Sequence, residues 1–248
     1  MKYKNILIEE YNDSVMHVIL NRKSKYNALN SELTNELIDA LKQCDQSELI
    51  KCIVISGSDN FCAGADISEL ASNPDFISLW EFIDTVKKPI IAAVNGIAFG
   101  GGNELLLMCD IILASKEAKF AQPEICLGLI CGGGGTQRLP KKIGKSMAME
   151  MCLTGNSITA EKARDIGLIN HIYNTDELIK NALQFADTIS LNPMEAIIST
   201  KQLIKDACDN KSGGLMAEKK EFLALLRSAN GIEGMNAFLE RRKPQFKN

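Results

Sequence analysis

Two rhythms of apolar and polar positions run through the first half of this chain. Residues 6–10 and 15–20 read as short strands on either side of Asn12-Asp13-Ser14, three residues that favour turns. Asn30-Ser31-Glu32 then opens a helix. Leu33, Leu37, Ile38 and Leu41 recur in it at helical spacing, which makes one face apolar. Residues 52–56 (Cys-Ile-Val-Ile-Ser) form a short apolar strand closed by Gly57, and a further helix is predicted over about 76–86. Pro89 marks the entry to another strand over 90–94. Strands that alternate with helices predict an α/β core with parallel strands.

The rhythm changes after about residue 191. No strand pattern follows Pro193; three helical stretches are predicted instead, over 194–208, 215–227 and 232–242, punctuated by Gly213-Gly214 and Asn230-Gly231. The chain therefore divides into a strand-containing core, residues 1–191, and a helical C-terminal region, residues 192–248. No repeat of fixed period and no low-complexity tract interrupts either part.

Composition narrows the function classes. Of the 248 residues, 46% are hydrophobic and 24% charged, enough apolar material for a sizeable core. The net charge is −3, and the basic clusters Lys141-Lys142 and Arg241-Arg242-Lys243 are only local, which argues against a nucleic-acid platform. The eight cysteines contain no C-x-x-C pair and mostly sit among apolar neighbours. They read as reduced, buried thiols of a cytoplasmic protein. Met1-Lys2-Tyr3-Lys4-Asn5 leads into a strand-like run and not into the apolar core of a signal peptide, and no window approaches the ~18 apolar residues of a membrane span.

Three segments carry candidate chemistry. Ser58-Asp59-Asn60-Phe61-Cys62-Ala63-Gly64-Ala65-Asp66 follows a strand, and its small residues allow backbone N–H groups to approach a ligand. In Val94-Asn95-Gly96-Ile97-Ala98-Phe99-Gly100-Gly101-Gly102-Asn103-Glu104-Leu105 a strand runs into three glycines and a helix. The first N–H groups of that helix lack internal partners, so an oxyanion hole can be built there from backbone alone. In the third segment, Ala121 to Gly128, Glu124 follows Pro123 within a mostly apolar stretch. Glu104 likewise precedes Leu105-Leu106-Leu107-Met108. Desolvation raises a carboxyl's pKa and suits it to general acid/base work, and two such groups beside glycine-bearing loops can share one site.

Competing chemistries find little support. Neither Gly100–Gly102 nor Gly132–Gly135 reads G-x-G-x-x-G, and Gly144-Lys145-Ser146 lacks the first glycine of a P-loop because Leu139 stands there. The only histidines, His17 and His171, sit in apolar strand patterns, which leaves a Ser-His-Asp or Cys-His mechanism with few candidates. No set of residues has the spacing of a zinc site.

These segments resemble the enoyl-CoA hydratase/isomerase, or crotonase, family over almost the whole chain. The likeness begins at Leu20-Asn21-Arg22 and Tyr26-Asn27-Ala28-Leu29 and continues through Phe61 to Ile67, Lys88 to Gly96 and Gly100 to Leu105. It then takes in Gln122-Pro123-Glu124, Leu127-Gly128-Leu129, Gly134-Gly135-Thr136-Gln137-Arg138-Leu139, and the tail Glu233 to Phe238 with Arg242-Lys243-Pro244. The resemblance implies a spiral of strand-strand-helix repeats with a helical C-terminal oligomerisation region, assembled as a homotrimer or homohexamer. It implies that the backbone N–H groups of Ala65 and Gly101 hold a thioester oxygen. Coenzyme A would lie along Ala28, Ala63, Ala65, Asp66, Ile67, Ser68 and Gly101, with its adenine near Ala63, Asp66 and Ile67.

The resemblance further implies that members with a glutamate at both positions held here by Glu104 and Glu124 look like hydratases, which add water to a 2-trans-enoyl-CoA in fatty-acid or related acyl-CoA metabolism. The expectation is therefore an acyl-CoA substrate, Glu104 and Glu124 as acid/base pair, no metal and no separate cofactor. A double-bond isomerase is the nearest alternative, and an RNA-binding relative the alternative from another class. The sequence departs from the family pattern at Cys131, where proline is common, and at Gly133, where alanine is common. The stretch 68–81, which borders the acyl tail in the family, is short.

Overall fold

A computed structural model describes residues 3–72 and 79–247. Strands β1 (Ile6–Tyr11) and β2 (Val15–Leu20) form an antiparallel hairpin. Its turn uses positive φ at Asn12 (51°) and Asp13 (55°), a conformation these two residue types tolerate. Helix α1 (Ser31–Gln46) is capped by the Asn30 side chain, which accepts from Leu33 N at 3.1 Å. The apolar face read from the sequence is the buried one: Leu33, Leu37 and Leu41 are fully covered.

Strand β3 (Cys52–Gly57) is followed by the short helices α2 (Ile67–Leu70) and α3 (Leu79–Ile83). The first residues of the helix expected over 76–86 lie outside the described residues, as does part of the short 68–81 stretch. At its other end α3 stops before residue 86. There Thr85 donates its hydroxyl to the Phe82 carbonyl at 2.7 Å, and Asp45 Oδ1 accepts from the N–H groups of Lys87 and Lys88. Side-chain bonds of this kind compete with helix continuation.

The chain then winds in turns that place one strand in each of two sheets. β4 (Ile90–Val94), β5 (Ile97–Phe99) and α4 (Gly101–Leu107) make one turn; β6 (Ile111–Ser115) and β7 (Lys119–Ala121) begin the next. Helices α5 (Gly135–Ile143) and α6 (Lys145–Thr154), strand β8 (Ile158–Thr159), helix α7 (Ala160–Asp165) and strand β9 (His171–Tyr173) complete it. The larger sheet has the order β1-β2-β3-β4-β6-β9, parallel from β2 onward, and the smaller one β5-β7-β8. This is the strand-strand-helix spiral expected from the resemblance.

Every residue of β3 and β4 is buried, as parallel strands covered on both faces require. One face packs against α1. On the other, Leu178, Ala182 and Ala186 of α8 (Leu178–Ser190) meet Val54, Ile91 and Leu113. His17 is buried in β2 with Nε2 2.8 Å from Ser56 Oγ, and His171 lies on the edge strand β9.

Among the described residues no strand follows residue 191. Helices α9 (Met194–Cys208), α10 (Gly214–Leu226) and α11 (Ala229–Leu239) take its place. Asn230-Gly231, expected as a break before the last helix, lies within its first turn. Ser228 caps the helix by accepting from Gly231 N at 3.0 Å, and a Cβ at residue 231 would stand 2.0 Å from the Leu225 carbonyl oxygen. Glycine marks a close approach of two helices here and not a chain break.

Candidate active site

The site begins with backbone. Beyond β3 the chain reaches Cys62, whose N–H donates to Ile97 O and whose carbonyl accepts from Phe99 N, both at 3.0 Å. Gly64-Ala65-Asp66 then runs beside Leu29: Leu29 N–H donates to Gly64 O, and Asp66 N–H donates to Leu29 O, each at 2.7 Å. In that parallel pairing the N–H of Ala65 faces away from Leu29. It faces Gly101, where an added Cβ would lie 3.4 Å from Ala65 N.

Gly101 is the first residue of α4, entered through Gly100 at φ 52°, a conformation that favours glycine. The next residue, Gly102, packs so closely on the Cys62 carbonyl that a Cβ would sit 2.2 Å from its oxygen. Among the described residues, neither the Ala65 nor the Gly101 N–H donates to a protein acceptor. These are the two donors that the resemblance implies, and the fold brings them side by side.

Glu104 lies one turn along α4 and is 3% exposed. Its Oε1 accepts two backbone hydrogen bonds, from Gly133 N at 2.7 Å and Gly135 N at 2.8 Å. Burial pushes its carboxyl above the usual range, while those two donors pull the other way. Glu124 stands in a 3-10 turn, Pro123–Leu127, and lies against Gly100, where an added Cβ would be 3.3 Å from its Oε1. Burial also raises the Glu124 carboxyl, and the charge of Glu104 adds to the rise. Its Oε2 is buried without a hydrogen-bond partner.

The asymmetry sorts the pair. Two N–H donors favour charge on Glu104, and the partnerless oxygen favours a proton on Glu124. Carboxylate oxygens of the two residues and the Cys131 sulfur all lie within 4.8 Å of one another.

The positions expected to hold coenzyme A form one ledge. Ala63 N–H donates to Tyr26 O at 3.0 Å, and Arg22 bridges Ala28 O (3.0 Å) to Asp66 Oδ2 (2.7 Å). Asp66 also caps α2 by accepting from Ser68 N. Hydrogen bonding from Ser68 and from the Arg22 guanidinium lowers the Asp66 carboxyl to about 2. The Asp66 side chain is thus a brace between two loops, while Ile67 and Ser68 beyond it are exposed.

Several participants went unassigned in the sequence reading. Gln122 is fully buried and donates its amide to Glu124 Oε1 (3.3 Å) and Cys131 Sγ (3.1 Å), while its carbonyl accepts from Asn103. A buried amide two residues before an acid in an apolar run was the available signal. The glycines from 132 to 135 failed a nucleotide fingerprint, yet two of their N–H groups hold Glu104. Trp80 covers the same place, with its indole against Gly133.

The comparisons agree with this arrangement. The family model for enoyl-CoA hydratase/isomerase matches residues 10–248. A mitochondrial enoyl-CoA hydratase of Pongo abelii is 42% identical, over 95% of this chain and 84% of its own length. A 2,3-dehydroadipyl-CoA hydratase of Escherichia coli is 38% identical, over 97% and 98%. Among solved structures, an enoyl-CoA hydratase subunit from Geobacillus kaustophilus superposes with a TM-score of 0.95 at 36% identity, covering 100% of this chain and 99% of that one. From its sequence, its spiral and its paired carboxylates, this chain belongs to the enoyl-CoA hydratase/isomerase family.

Proposed function

We propose that this family member is an enoyl-CoA hydratase, a carbon–oxygen lyase that reversibly adds water to a 2-trans-enoyl-CoA to give the 3-hydroxyacyl-CoA. The observation that carries the reading is the unequal support of two neighbouring carboxyls: Glu104 is held by two N–H donors and Glu124 Oε2 by none. The N–H groups of Ala65 and Gly101 polarise the thioester carbonyl, which makes C3 electrophilic. Glu104 orients water and removes its proton as the oxygen–C3 bond forms. The π electrons move toward the thioester oxygen, and Glu124 delivers its proton to C2. One oxyanion donor contributes roughly 3–4 kcal/mol to such a transition state, and each acid/base group ~10²–10⁴-fold in rate. Hydration by this route needs no redox cofactor.

The ledge of Ala28, Ala63, Asp66, Ile67 and Ser68 is the proposed seat of the coenzyme A moiety. A panel of CoA thioesters tests the reading: hydration removes the conjugated thioester absorbance. A double bond that only migrates would assign the isomerase reaction instead.

The proposed assembly is a homotrimer or a homohexamer. Its support is apolar exposure in the C-terminal helices, where α10 buries no residue and Leu215, Phe222 and Phe238 are 84%, 61% and 82% exposed. The proposed location is the cytoplasm, supported by buried thiols at Cys44, Cys52, Cys62 and Cys109; of the other cysteines expected to be buried, Cys131 and Cys152 are half-buried and Cys126 and Cys208 exposed. Among the described residues no helix is long and apolar enough to cross a membrane.

A further inference from the structure

Three groups that can ligate a metal converge at the acid/base pair itself, and a fourth stands next to one of them, although sequence spacing conceals them. Glu104, Glu124 and Cys131 offer ligand atoms within 4.8 Å of one another, and Cys152 Sγ stands 4.0 Å from Cys131 Sγ. A disulfide needs its sulfurs about 2 Å apart. The ligand–ligand edges of a tetrahedral zinc site, from its usual Zn–S and Zn–O lengths, run about 3.3–3.8 Å. The thiol pair is thus within a few tenths of an ångström of a metal-site edge and far from a bond.

The surrounding donors are already placed as a metal site requires. Gly133 and Gly135 N–H groups hold Glu104, and Gln122 Nε2 donates to both Glu124 Oε1 and Cys131 Sγ. Outer-sphere bonds of this kind orient the ligand atoms. Glu124 Oε2 is buried and unpartnered. Two thiols with two carboxylates select Zn²⁺ over Mg²⁺ or Ca²⁺, which take oxygen ligands alone.

We propose that Glu104, Glu124, Cys131 and Cys152 form a Zn²⁺ site whose occupation blocks the acyl-CoA reaction. Binding releases the thiol protons to solvent and leaves the metal's oxidation state unchanged. Metal binding depends on the four side chains alone; the block rests on the acid/base roles proposed above.

The test titrates the full chain, with the exposed Cys126 and Cys208 replaced by serine, using Co²⁺ as a spectroscopic substitute for Zn²⁺. One equivalent per chain gives a thiolate-to-cobalt charge-transfer band, and Cys131→Ser abolishes it. Cys152→Ala weakens binding by about tenfold or more and leaves metal-free turnover unchanged. Zn²⁺ inhibits turnover, a chelator restores it, and bound Zn²⁺ shields Cys131 from alkylation in peptide mapping. Absence of the band, or a band or an inhibition that survives Cys131→Ser, overturns the site. A band with unaffected turnover keeps the site and removes the glutamates from the reaction. No band, in an enzyme that glutamate replacement silences, overturns the site alone.

Discussion

The indole of Trp80 fills the space that a side chain at residue 133 would need. A Cβ on Gly133 would lie 2.6 Å from Trp80 Cε2 and 2.9 Å from Glu104 Oε2. Glycine at this position therefore leaves room for the Trp80 ring of α3 next to the Glu104 carboxylate. Gly133→Ala is expected to displace the ring and lower turnover by about tenfold, with a smaller loss in Gly133→Ala/Trp80→Phe. A double-mutant cycle should give a coupling of roughly 0.5–3 kcal/mol. Strictly additive effects would mean that the two residues do not share this space.

Glu104→Gln and Glu124→Gln should each cut kcat by ~10² or more while leaving the affinity for a CoA thioester near that of the native chain. Isothermal titration with a non-reacting saturated acyl-CoA separates the two effects. Near-native kcat in either variant would take that residue out of the reaction.

Gly101 allows a comparison of two substitutions. An added Cβ meets only ordinary contacts, with Ala65 N at 3.4 Å and Leu29 Cδ1 at 3.5 Å, so Gly101→Ala should fold and retain most activity. Gly101→Pro is tolerated at the first position of a helix but removes the N–H. A loss of about 10²–10³-fold is expected for that donor, with the circular dichroism of the native chain. Equal activities for the alanine and proline variants would place the oxyanion donors elsewhere.

The raised Glu124 carboxyl makes a prediction about stability and pH. A folded-state pKa above the ordinary glutamate value contributes stability below that ordinary value, and the contribution is lost as pH rises through the folded-state value. Glutamine keeps the shape and never ionises. The Tm of Glu124→Gln should therefore match that of the native chain near pH 4 and exceed it increasingly toward pH 8. A difference that is constant across this range would show that burial does not hold the proton.

The proposed assembly rests on exposed apolar area in α10 and α11. Light scattering on the full chain should report three or six copies at micromolar concentration. Phe222→Glu with Leu226→Glu should lower that number, since both side chains are exposed on α10. A stable, active monomer of the native chain would leave these helices without a partner.

The strand positions and the main helices were legible because burial and periodicity coincide: Leu33, Leu37 and Leu41 share one face, and β3 and β4 are unbroken apolar runs. Glu104 and Glu124 were legible because a carboxyl in an apolar stretch is conspicuous. The bonds that tell them apart were hidden. They come from main-chain N–H groups at Gly133 and Gly135, about 30 residues downstream of Glu104, and backbone donors leave no side-chain signature. The junction of α10 and α11 misled for a related reason. Asn230-Gly231 resembles a break in one dimension, yet Gly231 exists to let the helix rest on the Leu225 carbonyl.

The bridge between Cys62 and Ala98 has an evolutionary consequence. It ties the segments that carry the Ala65 and Gly101 N–H groups together through main-chain hydrogen bonds, which no side chain supplies. The two carboxyls, in contrast, act through side chains, one on α4 and one on the 3-10 turn that follows β7. A lineage with this scaffold can therefore exchange its proton-handling groups one at a time while the polarising pair is inherited whole, and new reactions become accessible by few substitutions.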